Sequence, residues 1–145
     1  MPVTDEQVAP LRAQLAGQPE EHLRLFNLLD QDAKTTGYQA LVSAAFVTAV
    51  QRRFAPEASP GEVVEFVGSV RSRSPQVADK IDPVIAERVI MSVLADDSLD
   101  DVDARKSFET QLVLMAAIVG GENLDDAGLD AFLAQARKLA DEWLA

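Results

Sequence analysis

Few side chains could act as a nucleophile, a general base or a soft metal ligand, because the chain has one histidine and no cysteine. His22 stands at helical spacing from Leu25 and Leu29, so it is predicted to lie beside an apolar face. A lone histidine there is typical of a packing residue, since a general base works with partners in the same site. No serine occupies a strand-turn-helix nucleophile setting either. We therefore predict that the protein is not an enzyme and needs no cofactor.

The densest group of acidic side chains could offer oxygen ligands to a divalent cation. Its members are Asp96, Asp97, Asp100, Asp101 and Asp103. A calcium-binding loop counted from Asp96 would place Asp101 where glycine is required and Ser107 where a glutamate is required. A loop counted from Asn123 would end on Ala134. Because acidic residues before a helix are favoured by the helix dipole without any metal, no metal site is predicted.

The main concentration of positive charge lies in the middle third of the chain and consists of Arg52, Arg53, Arg71, Arg73, Lys80 and Arg88. The first four of these residues are the candidate site for an anion or a partner. These residues could simply complement helix dipoles, or they could reach phosphates from a helix-turn-helix-like unit formed by the helices that begin at Ser59 and Asp82. The net charge of −11 repels nucleic acid, and neither interleaved aromatic residues nor a phosphate-binding glycine loop is present. Nucleic-acid binding is therefore disfavoured.

The elements that must position these residues are predicted to be helices, because capping residues followed by proline or acids recur along the chain. The predicted starts are Thr4, Pro19, Ser59, Asp82, Asp100-Asp101 and Asp125-Asp126. Ser74-Pro75 is expected to open only a linker or a helical turn. Thr35-Thr36-Gly37 and Gly120-Gly121 are expected to end helices. Leu23, Leu28 and Trp143 are expected on buried faces.

A third helix, from about residue 37 to 54, is predicted to be buried on two sides. Its apolar residues recur at spacings of three and four, and no charge interrupts the chain from Thr35 to Gln51. The opposite side carries small side chains, so a second helix could pack closely there. Ala40, Ala44 and Val47 are therefore the candidate interface. Either another helix of the same chain or a second subunit is expected to cover it.

The 145 residues, with 48% apolar and 26% charged side chains, match an ordinary globular domain. We predict a single all-α domain over residues 1–145, a bundle of six or seven helices with those around 37–54 and 101–119 most buried. The acidic amino terminus does not resemble a secretory signal, no apolar stretch is long enough to span a membrane, and the lack of cysteine favours the cytoplasm.

The resulting functional hypothesis is a non-enzymatic cytoplasmic protein that works by association with another protein or with itself, as a homodimer. Two alternatives stay open. One is a helical bundle with an apolar pocket for a small ligand. The other is a helix-turn-helix-like regulator that binds nucleic acid through the middle arginines.

Overall fold

The computed structural model describes residues 2–96 and 98–145, and every regular element in this part of the chain is helical. The helices are α1 (Asp5–Leu15), α2 (Pro19–Asn27), α3 (Tyr38–Arg53), α4 (Pro60–Arg71), α5 (Pro75–Lys80), α6 (Pro83–Leu94), α7 (Ala104–Glu122) and α8 (Asp126–Leu144). A π-helical segment, Ala33–Gly37, precedes α3. The all-α class is confirmed. The expected count of six or seven helices is too low for the described residues, because Ser74-Pro75 opens a complete short helix.

The predicted start at Asp100-Asp101 is wrong, because α7 begins at Ala104 and Asp103 accepts the hydrogen bond from the backbone N of Lys106. The starts of α4, α6 and α8 follow the capping residues that the sequence predicts. Ser59 accepts a hydrogen bond from the backbone N of Glu62, and Asp82 accepts bonds from the backbone of the first turn of α6. Ser74 caps α5, and Asp125 caps α8. Each side chain satisfies a backbone N–H that has no partner within its own helix.

Two predicted helix ends are wrong. Thr35-Thr36-Gly37 does not terminate a helix but belongs to the π-helical segment that leads into α3. Gly120 and Gly121 lie inside α7, and the left-handed residue after this helix is Asn123, with φ of 51°. Glycine ends a helix only where the backbone adopts the left-handed conformation, and an asparagine takes that position here.

The chain forms two compact units. The first consists of Met1–Thr48 and Val119–Ala145, and the second consists of Ala49–Ile118. Both α3 and α7 contribute residues to each unit. The single domain expected from the sequence stays a prediction.

In the first unit α1 packs against α2 and α8. Arg12 Nε donates to Asp130 Oδ1 at 2.7 Å, and Arg137 Nη1 donates to Asp5 Oδ1 at 2.6 Å. Since the start of α1 pairs with the later residue of α8, the two helices are antiparallel.

In the second unit α4 packs against α5 and α6. Arg71 Nε donates to the carbonyl oxygen of Ile81 at 3.1 Å, which ties the end of α4 to the residue after α5. Ile81 is 1% exposed and anchors this connection in the core. This hydrogen bond holds the end of α4 close to the end of α5.

Most of the apolar surface of α3 and much of that of α7 is buried. The α3 residues with no exposed surface are Leu41, Val42, Ala44, Ala45, Ala49 and Val50. In α7, Leu114, Met115 and Ile118 are buried, whereas Ala116 is exposed. Spacings of three and four residues thus identified the buried face of α3 correctly. The continuous apolar run of α7 predicts packing on nearly all sides, and the exposed Ala116 shows one open side.

Three apolar residues expected to be buried are instead exposed. Leu23 is 57% exposed, Leu28 is 73% exposed and Trp143 is 49% exposed. None of the nine residues of α2 is buried, so Leu23 lies on a surface helix, and Leu28 follows the end of that helix. Trp143 stands in the final turn of α8, after the last fully buried residue, Ala140.

Candidate functional site

An open groove lies between α4 and α6 in the second unit. Its volume is about 460 Å³. The residues that line it are mainly apolar: Pro60, Val63, Val64, Val84, Glu87, Arg88 and Met91. A groove between two packed helices is the kind of surface that accepts a third helix or an apolar ligand.

Two valines on this groove keep much of their surface in water. Val64 is 50% exposed and Val84 is 63% exposed, whereas Val63 is fully buried. In α4 the buried positions follow spacings of three and four, and Val64 lies beside that face. Val84 lies in the first turn of α6, outside the face that carries Val89. The groove therefore presents apolar surface that the second unit does not use for its own core.

One side of the groove carries an ordered ion pair. Arg88 binds Asp101 through two hydrogen bonds of 2.6 and 2.7 Å and also donates to the carbonyl oxygen of Ser98 at 3.2 Å. The hydrogen bonds from Arg88 hold the pKa of the Asp101 carboxyl below its usual range. This pairing balances the charge of Arg88, while Glu87 adds a carboxylate to the border of the groove.

Sequence reasoning missed the groove. Val64 and Val84 look like ordinary members of apolar helices, and the sequence does not show which helices pack side by side. The available signal is positional: Val64 is off the three-four pattern of its helix, and Val84 follows the capping proline directly. Neither residue belongs to the face that its amphipathic helix buries.

The candidate basic residues have separate surroundings. The Arg53 guanidinium lies 5.0 Å from the ring centres of Phe54 and Phe66, a cation–π arrangement. Arg71 binds a backbone carbonyl, as described above. Arg52 and Arg73 are exposed near the ends of α3 and α4. The candidate site at Arg52, Arg53, Arg71 and Arg73 stays a prediction.

Acidic residues share the surface around Arg53. Glu62 and Glu65 line the same shallow depression. Their negative charge opposes a phosphate at this position. The arrangement gives the nucleic-acid alternative little support.

The candidate interface on α3 is largely inaccessible in the single chain. Ala44 has no exposed surface, and Ala40 and Val47 are half-buried. A second subunit could reach Ala44 only if its surroundings opened. The homodimer itself stays a prediction.

His22 is held at the boundary between α1 and α2. Its Nδ1 lies 2.7 Å from the carbonyl oxygen of Pro10, so Nδ1 carries the proton and donates. The ring also stacks on Phe26, with centres 5.9 Å apart. These contacts give the histidine a packing role within the first unit.

Among residues 2–96 and 98–145, no three or more histidine, aspartate or glutamate side chains are grouped so that they could hold a metal ion. Asp97, a member of the acidic cluster, lies outside the described residues. None of the described helices combines the length and apolar character needed to cross a bilayer. Comparison with protein-family models, curated proteins and solved structures found no match to the chain.

Proposed function

We propose that the protein is a non-enzymatic association module that binds the apolar face of an amphipathic helix from a partner protein in the α4–α6 groove. The observation that carries this proposal is the exposure of Val64 and Val84 beside an apolar floor. A helix presents apolar side chains at spacings of three and four, which suits a groove bordered by two other helices. Polar residues on the far side of the bound helix would face water.

The expected contribution of the two valines follows from their exposure. Complete burial of a valine side chain contributes about 1.5–3 kcal/mol, so covering the exposed half of each contributes about 1 kcal/mol. Two such contacts amount to about 2 kcal/mol, which corresponds to about thirtyfold in affinity. The loss of affinity on replacing both valines should therefore be easy to measure.

The experiment is a selection of binders from a displayed library of amphipathic helical peptides. Binding of each selected peptide is then measured on the double variant Val64→Ser, Val84→Ser. The matched control is Leu23→Ser, because Leu23 is an equally exposed apolar residue outside the groove. We expect a loss of about thirtyfold on the double variant and unchanged affinity on the control. Equal affinity for all three proteins would contradict the proposal.

The small-ligand alternative draws on the same groove, since about 460 Å³ lies within the range of small-molecule pockets. Its open side favours a helix, because a small ligand would leave Val64 and Val84 partly in water. Light scattering tests the homodimer separately. A protein that stays monomeric at high concentration would exclude the homodimer and leave association with a different protein.

A further inference from the structure

A second pocket surrounds the π-helical segment in the first unit. Its volume is about 420 Å³. The residues that line it come from the amino terminus, from α1 and from the connection between α2 and α3: Pro2, Thr4, Glu6, Gln7, Leu28, Leu29, Asp30, Asp32, Ala33, Thr36 and Gly37. It shares no residue with the α4–α6 groove.

The floor of this pocket is built by one buried amide. Gln7 is 6% exposed, its Oε1 accepts from the backbone N of Thr4 at 2.9 Å, and its Nε2 donates to the carbonyl oxygen of Ala33 at 3.1 Å. Gly37 leaves the space that this side chain occupies. The π-helical segment and the start of α1 are therefore fastened together, so the pocket is formed before any ligand arrives.

The walls combine apolar surface with negative charge. Leu28 is 73% exposed, and Pro2 and Leu29 extend the apolar part. Glu6, Asp30 and Asp32 line the rim, and none of the described lining residues is a lysine, arginine or histidine. One oxygen of Asp30 accepts a backbone hydrogen bond from Ala33 at 2.8 Å, while Glu6 and Asp32 form no ion pair with a described residue.

Lys34, the basic residue nearest to Asp32 in the sequence, does not line the pocket. Its ammonium group lies 5.0 Å from the centre of the Phe26 ring. Three carboxylates and no basic side chain are therefore found among the described residues of the lining. An occupant that suits it must carry positive charge together with an apolar group.

We propose that this pocket binds a basic segment of a partner protein, in which a lysine or arginine stands next to a large apolar side chain. The apolar side chain covers Leu28 and Pro2, and the cation lies between Glu6 and Asp32. A free inorganic cation would leave the apolar wall uncovered, and a purely apolar peptide would leave the carboxylates without a counter-charge. Both parts of the occupant follow from the lining, and the proposal does not depend on the α4–α6 groove.

The test begins with a displayed library of random short peptides selected on the unmodified protein. Selected peptides are measured on Leu28→Ser and on the pair Glu6→Gln, Asp32→Asn. The control for charge is the pair Glu20→Gln, Glu142→Gln, which alters the net charge equally at exposed positions outside the pocket. Thermal unfolding of each variant establishes that it is folded as the unmodified protein is.

We expect the selected peptides to be rich in lysine or arginine beside leucine, isoleucine or phenylalanine. Their affinity should fall by about tenfold on Leu28→Ser and by about three- to tenfold on the double carboxylate variant, since exposed ion pairs are weak individually. The control pair should change affinity less than twofold, as a rough limit for screened charges at a distance. Leu23→Ser should leave affinity unchanged.

Several results would overturn this inference. Selection of neutral or acidic peptides, or no enrichment above an empty support, would do so. So would basic peptides that bind the Leu28 and carboxylate variants as tightly as the unmodified protein. Peptides that lose binding only on Val64→Ser, Val84→Ser would reject the pocket and support the groove. The two proposals can therefore fail independently.

Discussion

Replacing Gly37 with alanine tests how the π-helical segment is held against α1. A Cβ at position 37 would lie 2.8 Å from both Cδ and Oε1 of Gln7 and would overlap its Nε2. Because non-bonded atoms do not approach a Cβ this closely, the Gln7 amide must leave its place. The backbone of Gly37 itself accepts alanine, since its φ is not left-handed.

The expected change in the free energy of unfolding follows from the hydrogen bonds that the displaced Gln7 amide loses. Gln7 gives up its bonds with the Thr4 N and the Ala33 carbonyl oxygen. A net value of about 0.5–1.5 kcal/mol for each bond makes the loss about 1–3 kcal/mol. The higher helix propensity of alanine returns about 1 kcal/mol. The free energy of unfolding should therefore decrease by about 0–2 kcal/mol.

A double-mutant cycle gives the sharper result. When Gln7 is already alanine, Gly37→Ala meets no amide and should raise the free energy of unfolding by about 1 kcal/mol. Urea unfolding of the four proteins, followed by circular dichroism, measures both effects. A Gly37→Ala substitution that stabilises the protein equally in both backgrounds would refute the packing of Gln7 against this segment.

Three further predictions concern burial and charge. Ala44→Glu places a charge where no surface is exposed, at a cost of several kcal/mol, so circular dichroism should show no cooperative unfolding transition. The control Ala131→Glu, on the exposed side of α8, should stay folded, and a folded Ala44→Glu monomer would contradict the burial of Ala44. The Tyr38 hydroxyl is buried without a hydrogen-bond partner among the described residues, and burial raises its pKa, so stability should be complete below the usual tyrosine pKa of about 10 and fall above it. Tyr38→Phe should be at least as stable as the unmodified protein and should lose less stability above about pH 10. The same loss of stability at alkaline pH in both proteins would contradict the role of Tyr38. In an NMR titration, Arg88→Gln should raise the lowered pKa of Asp101 toward its ordinary range, since the hydrogen bonds from Arg88 are the main cause of the lowering. In the unmodified protein the contribution of the pair to stability should disappear as the pH falls through that lowered pKa. An Asp101 titration that is the same in both proteins would reject the assignment.

Several helix starts could be predicted because each depends on a few neighbouring residues. Ser59-Pro60 and Asp82-Pro83 contain both the capping side chain and the proline that suits the first helical position. The buried face of α3 was also predictable, since periodicity alone reveals it. Local patterns therefore led to the all-α class.

The candidate surfaces depend on contacts that are distant in sequence. Gln7 reaches Ala33 across 26 residues, and no local pattern predicts that Gly37 will make room for it. Leu28 shows the same limit, because an apolar residue near a helix end can either join the core or remain in water. Which of these occurs depends on the arrangement of neighbouring helices, and the sequence alone does not specify that arrangement.

The central claim is that the α4–α6 groove binds a partner helix, and a methyl NMR titration tests it most directly. A helical peptide from the selection is added to protein with labelled valine and methionine methyl groups. We expect the largest shifts at Val64, Val84 and Met91. Val64→Ser with Val84→Ser should raise the peptide concentration needed for half-saturation by about thirtyfold. Binding with the largest shifts outside this groove, or binding that survives the double substitution unchanged, would contradict it.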